Sequence, residues 1–269
     1  MMLIPDVGKR QAEYTIGLSK SASAIDELRL LLEMWQPGED VHNFLIRVRE
    51  AGVLGKQTAQ RTSDIVLRVF RVRLLQPNEL PARWLQQVWQ QQREVRLLRE
   101  LLFLYTARAD AFLYDFTIEA YWPRHHAGNL YLTLDDVYHF IRNAYANGLI
   151  PRSWSTSTQT KISRGILGAL RDFGLLHEGQ RQQREIITYH VADFTVAYLA
   201  YELHLAGLSN GRLVEHPDWR LFGLDRPRAL ARLAELDQRA GLIVQHAGSV
   251  VSITWLHHSM EELITAYAR

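Results

Sequence analysis

The most informative absence from this chain is that of cysteine, since none of its 269 residues is one. Disulfide frameworks, thiolate zinc sites, iron–sulfur clusters and cysteine nucleophiles are therefore excluded, and a reducing compartment such as the cytoplasm suits the chain. Long apolar runs are lacking too. The most apolar run, 97–105, contains Arg99 and Glu100. Because a transmembrane helix needs about 20 apolar residues, we expect no membrane span.

Motifs of catalysis and cofactor binding are also absent. The chain has no nucleophile elbow, phosphate loop, Rossmann fingerprint or HExxH motif. The histidine pairs His125–His126 and His257–His258 have no carboxylate at ligand spacing, and adjacent histidines point apart. The acidic pair Asp135–Asp136 suits the positive end of a helix. We therefore expect a protein without catalytic activity, cofactor or metal.

Lysine is scarce among the basic residues. Only four of the 31 are lysine, which leaves 27 arginines, while the formal net charge is only +2. The planar guanidinium fork donates two hydrogen bonds at once and suits phosphate and guanine. Arginine richness can equally follow from a GC-rich genome, so composition leaves the partner open.

The apolar residues that are present, 47% of the chain, recur mostly at helical spacing. Residues 1–128 are predicted to form a helical bundle domain with short loops. Its first helix is predicted to start from a capping box at Ser23–Asp26 and to end near Trp35. Further helices are predicted at 39–51, 57–75, 82–89, 94–107 and 110–122.

Residues 129–192 have the order of a winged helix-turn-helix: helix, loop, helix, β-hairpin. A capping box at Thr133–Asp136 predicts the start of the first helix. The second helix is predicted over 158–173 and ends at Gly174. An apolar pair, Leu175–Leu176, then enters a hairpin whose return strand is predicted within 184–191.

The second helix of this segment is predicted to be basic on its free face. At 100° per residue, Thr160, Arg164 and Arg171 lie opposite the apolar stripe, and Lys161 flanks them. Arg181 and Arg184 are predicted at the tip of the hairpin. This arrangement is typical of a DNA reader, but winged helices also serve as protein-interaction modules, and the pattern leaves both functions open.

Two glycines in the same helix need an explanation. Gly165 and Gly168 each destabilise a helix by roughly 1 kcal/mol relative to alanine. The sequence leaves two explanations, namely that another helix packs closely there or that the helix backbone approaches DNA.

Residues 193–269 are predicted to form a helical region with a second winged-helix-like unit. A helix over 193–206 is apolar on most faces and should therefore be buried. Asp225 precedes another helix, and Gly241 is followed by an apolar pair and a hairpin over 242–255 with its turn at 247–249. A last helix is predicted over 259–268.

A basic stripe is predicted on the helix at 57–75, where Arg61, Arg68 and Arg71 fall within an ~80° arc. Nine basic residues face three acidic ones between Gly55 and Arg99. Such a stripe could follow a phosphate backbone. Ordinary ion pairs with Asp64, three residues after Arg61 and four before Arg68, would explain it equally well.

Several phrases in the chain together resemble the BrxA family, whose members are small components of bacterial BREX phage-defence systems. In chain order, these segments are Tyr14–Ser19, the leucine-rich helix containing Glu33, the helix 61–75 with its Arg68-Val-Phe-Arg-Val-Arg-Leu74 ending, Lys161–Leu167 and Asp172–Leu176. These segments are structural and not catalytic. The resemblance therefore does not identify individual residues of this sequence that contact DNA.

The resemblance implies a helical N-terminal part likened to an RNA-binding antitermination factor, a winged-helix part, no known catalysis and binding of double-stranded DNA. We therefore expect a non-enzymatic cytoplasmic protein that binds duplex DNA mainly through phosphate contacts and works with other BREX proteins. Two alternatives stay open: a scaffold that binds BREX partners, and an RNA-binding helical module.

Overall fold

The structure is a computed structural model that describes residues 13–15, 17, 23–179, 183–236, 238–248 and 250–269. These residues form mainly helices, with two small antiparallel sheets of two strands each. The predicted fold class, mainly α with small β elements, is confirmed.

The helices of the first half of the chain are α1 (Ile25–Met34), α2 (Val41–Ala51), α3 (Ala59–Asp64), which continues as a π-helix (Ile65–Leu75), α4 (Leu80–Gln92), α5 (Val95–Ala109), α6 (Ala111–Phe116), which continues as a π-helical turn (Thr117–Tyr121), and α7 (Trp122–His126). The second half contains β1 (Tyr131–Thr133), α8 (Leu134–Ala146), α9 (Thr156–Asp172), β2 (Gln183–Glu185), α10 (Asp193–Leu205), α11 (Asn210–Val214), a 3-10 helix (Pro217–Phe222), α12 (Arg226–Ala234), a 3-10 turn (Gln238–Ala240), β3 (Leu242–Ala247), β4 (Val250–Trp255) and α13 (Met260–Tyr267).

The described residues cluster into two compact units, each assembled from separated segments. The central unit comprises Arg10–Gln76 and Leu102–Tyr189, and the C-terminal unit comprises Pro77–Leu101 and His190–Arg269. Compactness alone does not decide which segments fold independently. The three consecutive domains predicted over 1–128, 129–192 and 193–269 therefore stay a prediction.

The capping box predicted at the start of α8 is confirmed. The hydroxyl of Thr133 accepts a hydrogen bond from the amide of Asp136 (3.3 Å), and the Asp136 carboxylate accepts one from the amide of Thr133 (2.8 Å). Arg124, at the end of α7, forms an ion pair with the same carboxylate. One aspartate therefore holds both the helix start and the preceding chain.

Replacing this aspartate, Asp136→Ala, is expected to lower the free energy of unfolding by about 1–2 kcal/mol, because it removes the carboxylate half of the capping box and leaves Arg124 without that partner. The neighbouring Asp135 is exposed, and Asp135→Ala is the matched control. Urea unfolding measures both. Equal losses in the two variants would mean that helix-end charge, rather than the capping box, stabilises α8.

The capping box predicted at Ser23 is wrong. The residue before α1 is Ala24, whose φ of 50° is left-handed, and α1 has no side-chain cap. The hydroxyl of Ser23 donates instead to the carboxylate of Asp172, at the end of α9, over 2.5 Å. A tertiary partner has replaced the local one, which the spacing of residues along the chain could not reveal.

The predicted helix over 57–75 begins as expected, but its second half is π-helical. The side chain of Thr58 caps α3, and from Ile65 onward the wider π-helical turn changes which side chains share a face. Arg73 lies in the interior, where it donates to the carbonyl of Ser23 (3.0 Å). Burial lowers the pKa of Arg73 to about 10 despite the attraction of Asp110, which leaves it charged at neutral pH.

An aromatic cluster forms part of the core of the central unit. The ring of Phe112 contacts the rings of Tyr14, Phe116, Phe140 and Trp154 at centroid distances of 5.2–6.3 Å. Such edge and offset contacts stabilise aromatic cores beyond area burial alone. The cluster joins α6, α8 and the connector before α9, and so fixes the base on which α9 lies.

The C-terminal unit is built around α10, which is buried on nearly all faces as predicted. The buried carboxylate of Glu100 accepts hydrogen bonds from the amide of Ala192 (3.0 Å) and from Arg96 Nε (3.1 Å), so its charge is satisfied just before α10 begins. The indole of Trp84 donates to Glu261 (3.2 Å), which joins α4 to α13.

The second helix–hairpin unit predicted from the sequence is confirmed. Helix α12 begins at the cap residue Asp225, whose carboxylate accepts from the amide of Arg228 (3.0 Å). Gly241 has φ +57° and ends the following 3-10 turn. Strands β3 and β4 then pair in antiparallel register from Leu242↔Trp255 to Ala247↔Val250.

Candidate nucleic-acid interface

The segment 131–187 contains, in order, strand β1, helices α8 and α9, and a return of the chain that includes β2. Helices α8 and α9 are joined by the connector 147–155, and the chain then turns back as predicted. The amide of His177 donates to the carbonyl of Glu185 (2.9 Å), and that of Ile187 donates to the carbonyl of Leu175 (3.1 Å). The predicted return of the chain is therefore present. Apart from the β1–β2 pairing, its β pairing consists of a single bridge, Leu176↔Ile186.

The two-stranded sheet of this segment contains a strand, β1, that was not predicted from the sequence. Strand β1 pairs with β2 in antiparallel register, Tyr131↔Glu185 to Thr133↔Gln183. No element is predicted from the sequence between the helix that ends at residue 122 and the helix cap at Thr133. The β-favouring run 130–133, directly after the turn residues Gly128–Asn129, was the available signal.

Helix α9 is held against the central unit by its apolar stripe. Ile162, Ile166 and Leu170 are buried, as predicted. The hydroxyl of Tyr121 donates to the carbonyl of Leu175, just beyond α9, over 2.9 Å. Burial raises the pKa of this phenol, so it stays a donor. The helix consequently presents a fixed outer face.

Lys161 and Arg164 occupy that outer face and are exposed. Neither side chain has a hydrogen bond or ion pair within the part of the chain that the structure describes. Thr160, predicted on the same face, is half-buried, and its hydroxyl lies 3.0 Å from the hydroxyl of Tyr138 on α8. The two cations are thus the polar groups of α9 best placed for an anionic ligand.

Arg171 and Arg184 are brought together, but by an acidic residue. The carboxylate of Glu178 lies 3.1 Å from Arg171 Nη1 and 3.4 Å from Arg184 Nη1. Arg171 also bonds Asp172, and this hydrogen bond, together with the charges of Asp172 and Glu178, raises its pKa. A phosphate would have to replace Glu178. Arg181, predicted at the same tip, lies outside the described residues.

The basic stripe predicted on the third helix does not keep its geometry. Arg68 is exposed and pairs with Asp64 (3.2 Å), which is the ion-pair interpretation, whereas Arg61 and Arg71 are half-buried. The ~80° arc assumed 3.6 residues per turn, and Arg68 and Arg71 lie on the π-helix. Contact of Arg61, Arg68 and Arg71 with nucleic acid stays a prediction.

Gly168 is half-buried on the outer side of α9. At 100° per residue it falls between Lys161 and Arg164 around the helix. A Cβ added there would meet no heavy atom among the described residues within 4 Å, apart from the helix's own neighbouring backbone. Close packing of another helix, one of the two explanations offered for this glycine, is therefore not found at Gly168 within the described residues.

Comparison with protein-family models finds a match to BrxA over residues 12–202. The matched residues make up more than half of the chain. The chain belongs to the BrxA family. This BrxA-family chain is accordingly a component of a BREX phage-defence system. The match contains α9 and strand β2, and it ends inside α10. Helices α11, α12 and α13 and the β3–β4 hairpin therefore lie beyond it.

A comparison with curated proteins finds no significant match for this BrxA-family chain. None of the helices in the described part of the chain combines the length and the apolar composition that crossing a membrane requires.

Proposed function

We propose that this BrxA-family protein is a non-enzymatic, cytoplasmic DNA-binding component of its BREX system, which holds duplex DNA mainly through phosphate contacts. The observation that carries the proposal is the outer face of α9, where Lys161 and Arg164 are exposed and have no partner within the described chain. A cation with no protein partner can bind a phosphate without first giving up an ion pair.

The position of α9 supports the same function. In winged and other helix-turn-helix proteins the second helix of the pair enters the major groove, while neighbouring elements contact the backbone. Here α9 is that second helix. Strand β2, which pairs with β1, places Arg184 near the C-terminal end of α9, where Glu178 pairs with both Arg184 and Arg171. Because these two arginines already have a carboxylate partner, we assign the phosphate contacts to Lys161 and Arg164.

The C-terminal unit has a similar helix–hairpin order but a different charge arrangement. On or beside α12, Arg226 pairs with Glu215 (3.2 Å), and Arg228 lies 4.0 Å from Asp225. Arg232 pairs with Asp193 (2.6 Å). Because these arginines already have carboxylate partners, we assign the DNA contact to α9 rather than to α12.

The proposal is tested by salt-titrated binding of the purified full chain to labelled duplex DNA, followed by fluorescence anisotropy. Each phosphate neutralised contributes about −0.9 to the slope of log affinity against log salt, so a slope of roughly −2 or steeper is expected. Single strands and RNA of the same length serve as competitors. Stronger competition by RNA than by duplex would support the RNA-binding alternative instead.

A second function, docking of a BREX partner protein, is favoured by the outer face of the β3–β4 hairpin. Ile243 and Val250 are 51% and 69% exposed there, and exposed apolar residues on a sheet face suit a protein partner better than a phosphate backbone. A flat salt response of duplex binding, with affinity below the detectable range, would leave this scaffold function as the better account.

A further inference from the structure

We infer that Gly168 is the point of closest approach between α9 and the nucleic acid, where the absence of a side chain lets the sugar–phosphate backbone or a groove edge reach the helix surface. The inference rests on the proposed function and adds to it a positioning residue. It makes contact depend on shape at Gly168 as well as on the charges of Lys161 and Arg164.

The physical argument begins with the unfavourable effect of glycine on a helix. Glycine in a helix interior is less stable than alanine because its backbone has more freedom to lose. Two common structural reasons for a glycine do not apply at Gly168. Its φ is not positive. No described atom outside its own helix backbone occupies the space that a Cβ would take.

The position of Gly168 on the helix supplies the second half of the argument. Around the axis it lies about 20° from Lys161 and 40° from Arg164, and along the axis it lies roughly one turn beyond Arg164. Lys161 and Arg164, which have no partner among the described residues, therefore share one narrow strip of α9 with the bare backbone of Gly168. A methyl group on that strip would stand between the helix and a ligand that both cations reach.

The consequence is an opposite effect of one substitution on stability and on binding. Gly168→Ala removes the backbone penalty without a steric clash, so the melting temperature should rise by about 2 °C. The same methyl group should hold the helix away from the DNA, reduce duplex affinity by about tenfold and flatten the salt slope. Gly168→Leu, which has a longer side chain and high helix propensity, should reduce affinity further.

The experiment measures melting temperature and salt-titrated duplex affinity for the full chain carrying Gly168→Ala or Gly168→Leu. Gly211, in α11, is the matched control, because it is also helical and a Cβ there meets no atom of the described residues within 4 Å. Gly211→Ala should leave duplex affinity and salt slope unchanged.

Three results separate the outcomes. Weaker binding in the order wild type, Ala, Leu at position 168, with folded variants and an inert Gly211→Ala, supports the inference. Duplex binding by both Gly168 variants at the wild-type level overturns it, as does an equal loss in Gly211→Ala. Failure of the wild-type chain to bind duplex DNA with any salt dependence overturns the proposed function itself, and the inference with it.

Discussion

Reversing the charges of Lys161 and Arg164 together (Lys161→Glu, Arg164→Glu) is expected to reduce duplex affinity by roughly 100-fold or more at about 0.1 M salt. Two attractive phosphate contacts become two repulsive ones, and like charges placed together across an interface cost several kcal/mol. The salt slope should flatten by about two. Both residues are exposed, so the thermal melt should change little.

The matched control reverses two exposed arginines of the C-terminal unit, Arg212 and Arg228, and so makes the same change in net charge. This control should lose only the small, non-local part of the attraction, which high salt screens. If the control loses as much affinity as the α9 variant, binding follows net charge and not the face of α9. If only the control loses affinity, the C-terminal unit is the part of the chain that binds DNA.

The single substitution Arg164→Ala refines the result. A base contact would be lost mainly on a preferred sequence, with a change of ~1–3 kcal/mol, whereas a phosphate contact would be lost uniformly across sequences. We expect uniform loss, measured as affinity for several unrelated duplexes.

Gly241→Ala is expected to lower the free energy of unfolding by about 2–4 kcal/mol. The residue has φ +57°, where alanine is less stable than glycine by about 1 kcal/mol. A Cβ would also stand 2.3 Å from Cδ2 of the His257 ring. That ring bonds the carbonyl of Arg239 (3.0 Å) and cannot move freely, so overpacking adds about 1–3 kcal/mol.

Gly248 separates the two terms of this prediction. It also has a positive φ, +59°, but a Cβ there meets no described atom within 4 Å. Gly248→Ala should therefore show only the conformational term in urea unfolding. Adding His257→Ala to Gly241→Ala should relieve the clash, and failure of this second substitution to recover any of the difference would show that the clash is not the cause.

The sequence predicted those features that depend on neighbours along the chain. The Thr133–Asp136 capping box, the apolar stripe of Ile162 and Ile166, and the end of α9 before Gly174 follow from local hydrogen bonding and helical periodicity. The wide π-helical turn from Ile65 did not follow, because local propensity gives no signal for it and packing selects it.

At the candidate interface, too, the sequence determined some features and the tertiary structure determined others. Sequence alone placed Lys161, Arg164 and Arg171 on one side of a helix, since angular position depends only on spacing. Only the tertiary structure distinguished the cations that are available to a ligand from those that have carboxylate partners. Glu178 lies after the end of α9 and pairs both with Arg171 on that helix and with Arg184 on β2. Ion pairing depends on distance in space, which the fold sets, and the same holds for the empty space beside Gly168.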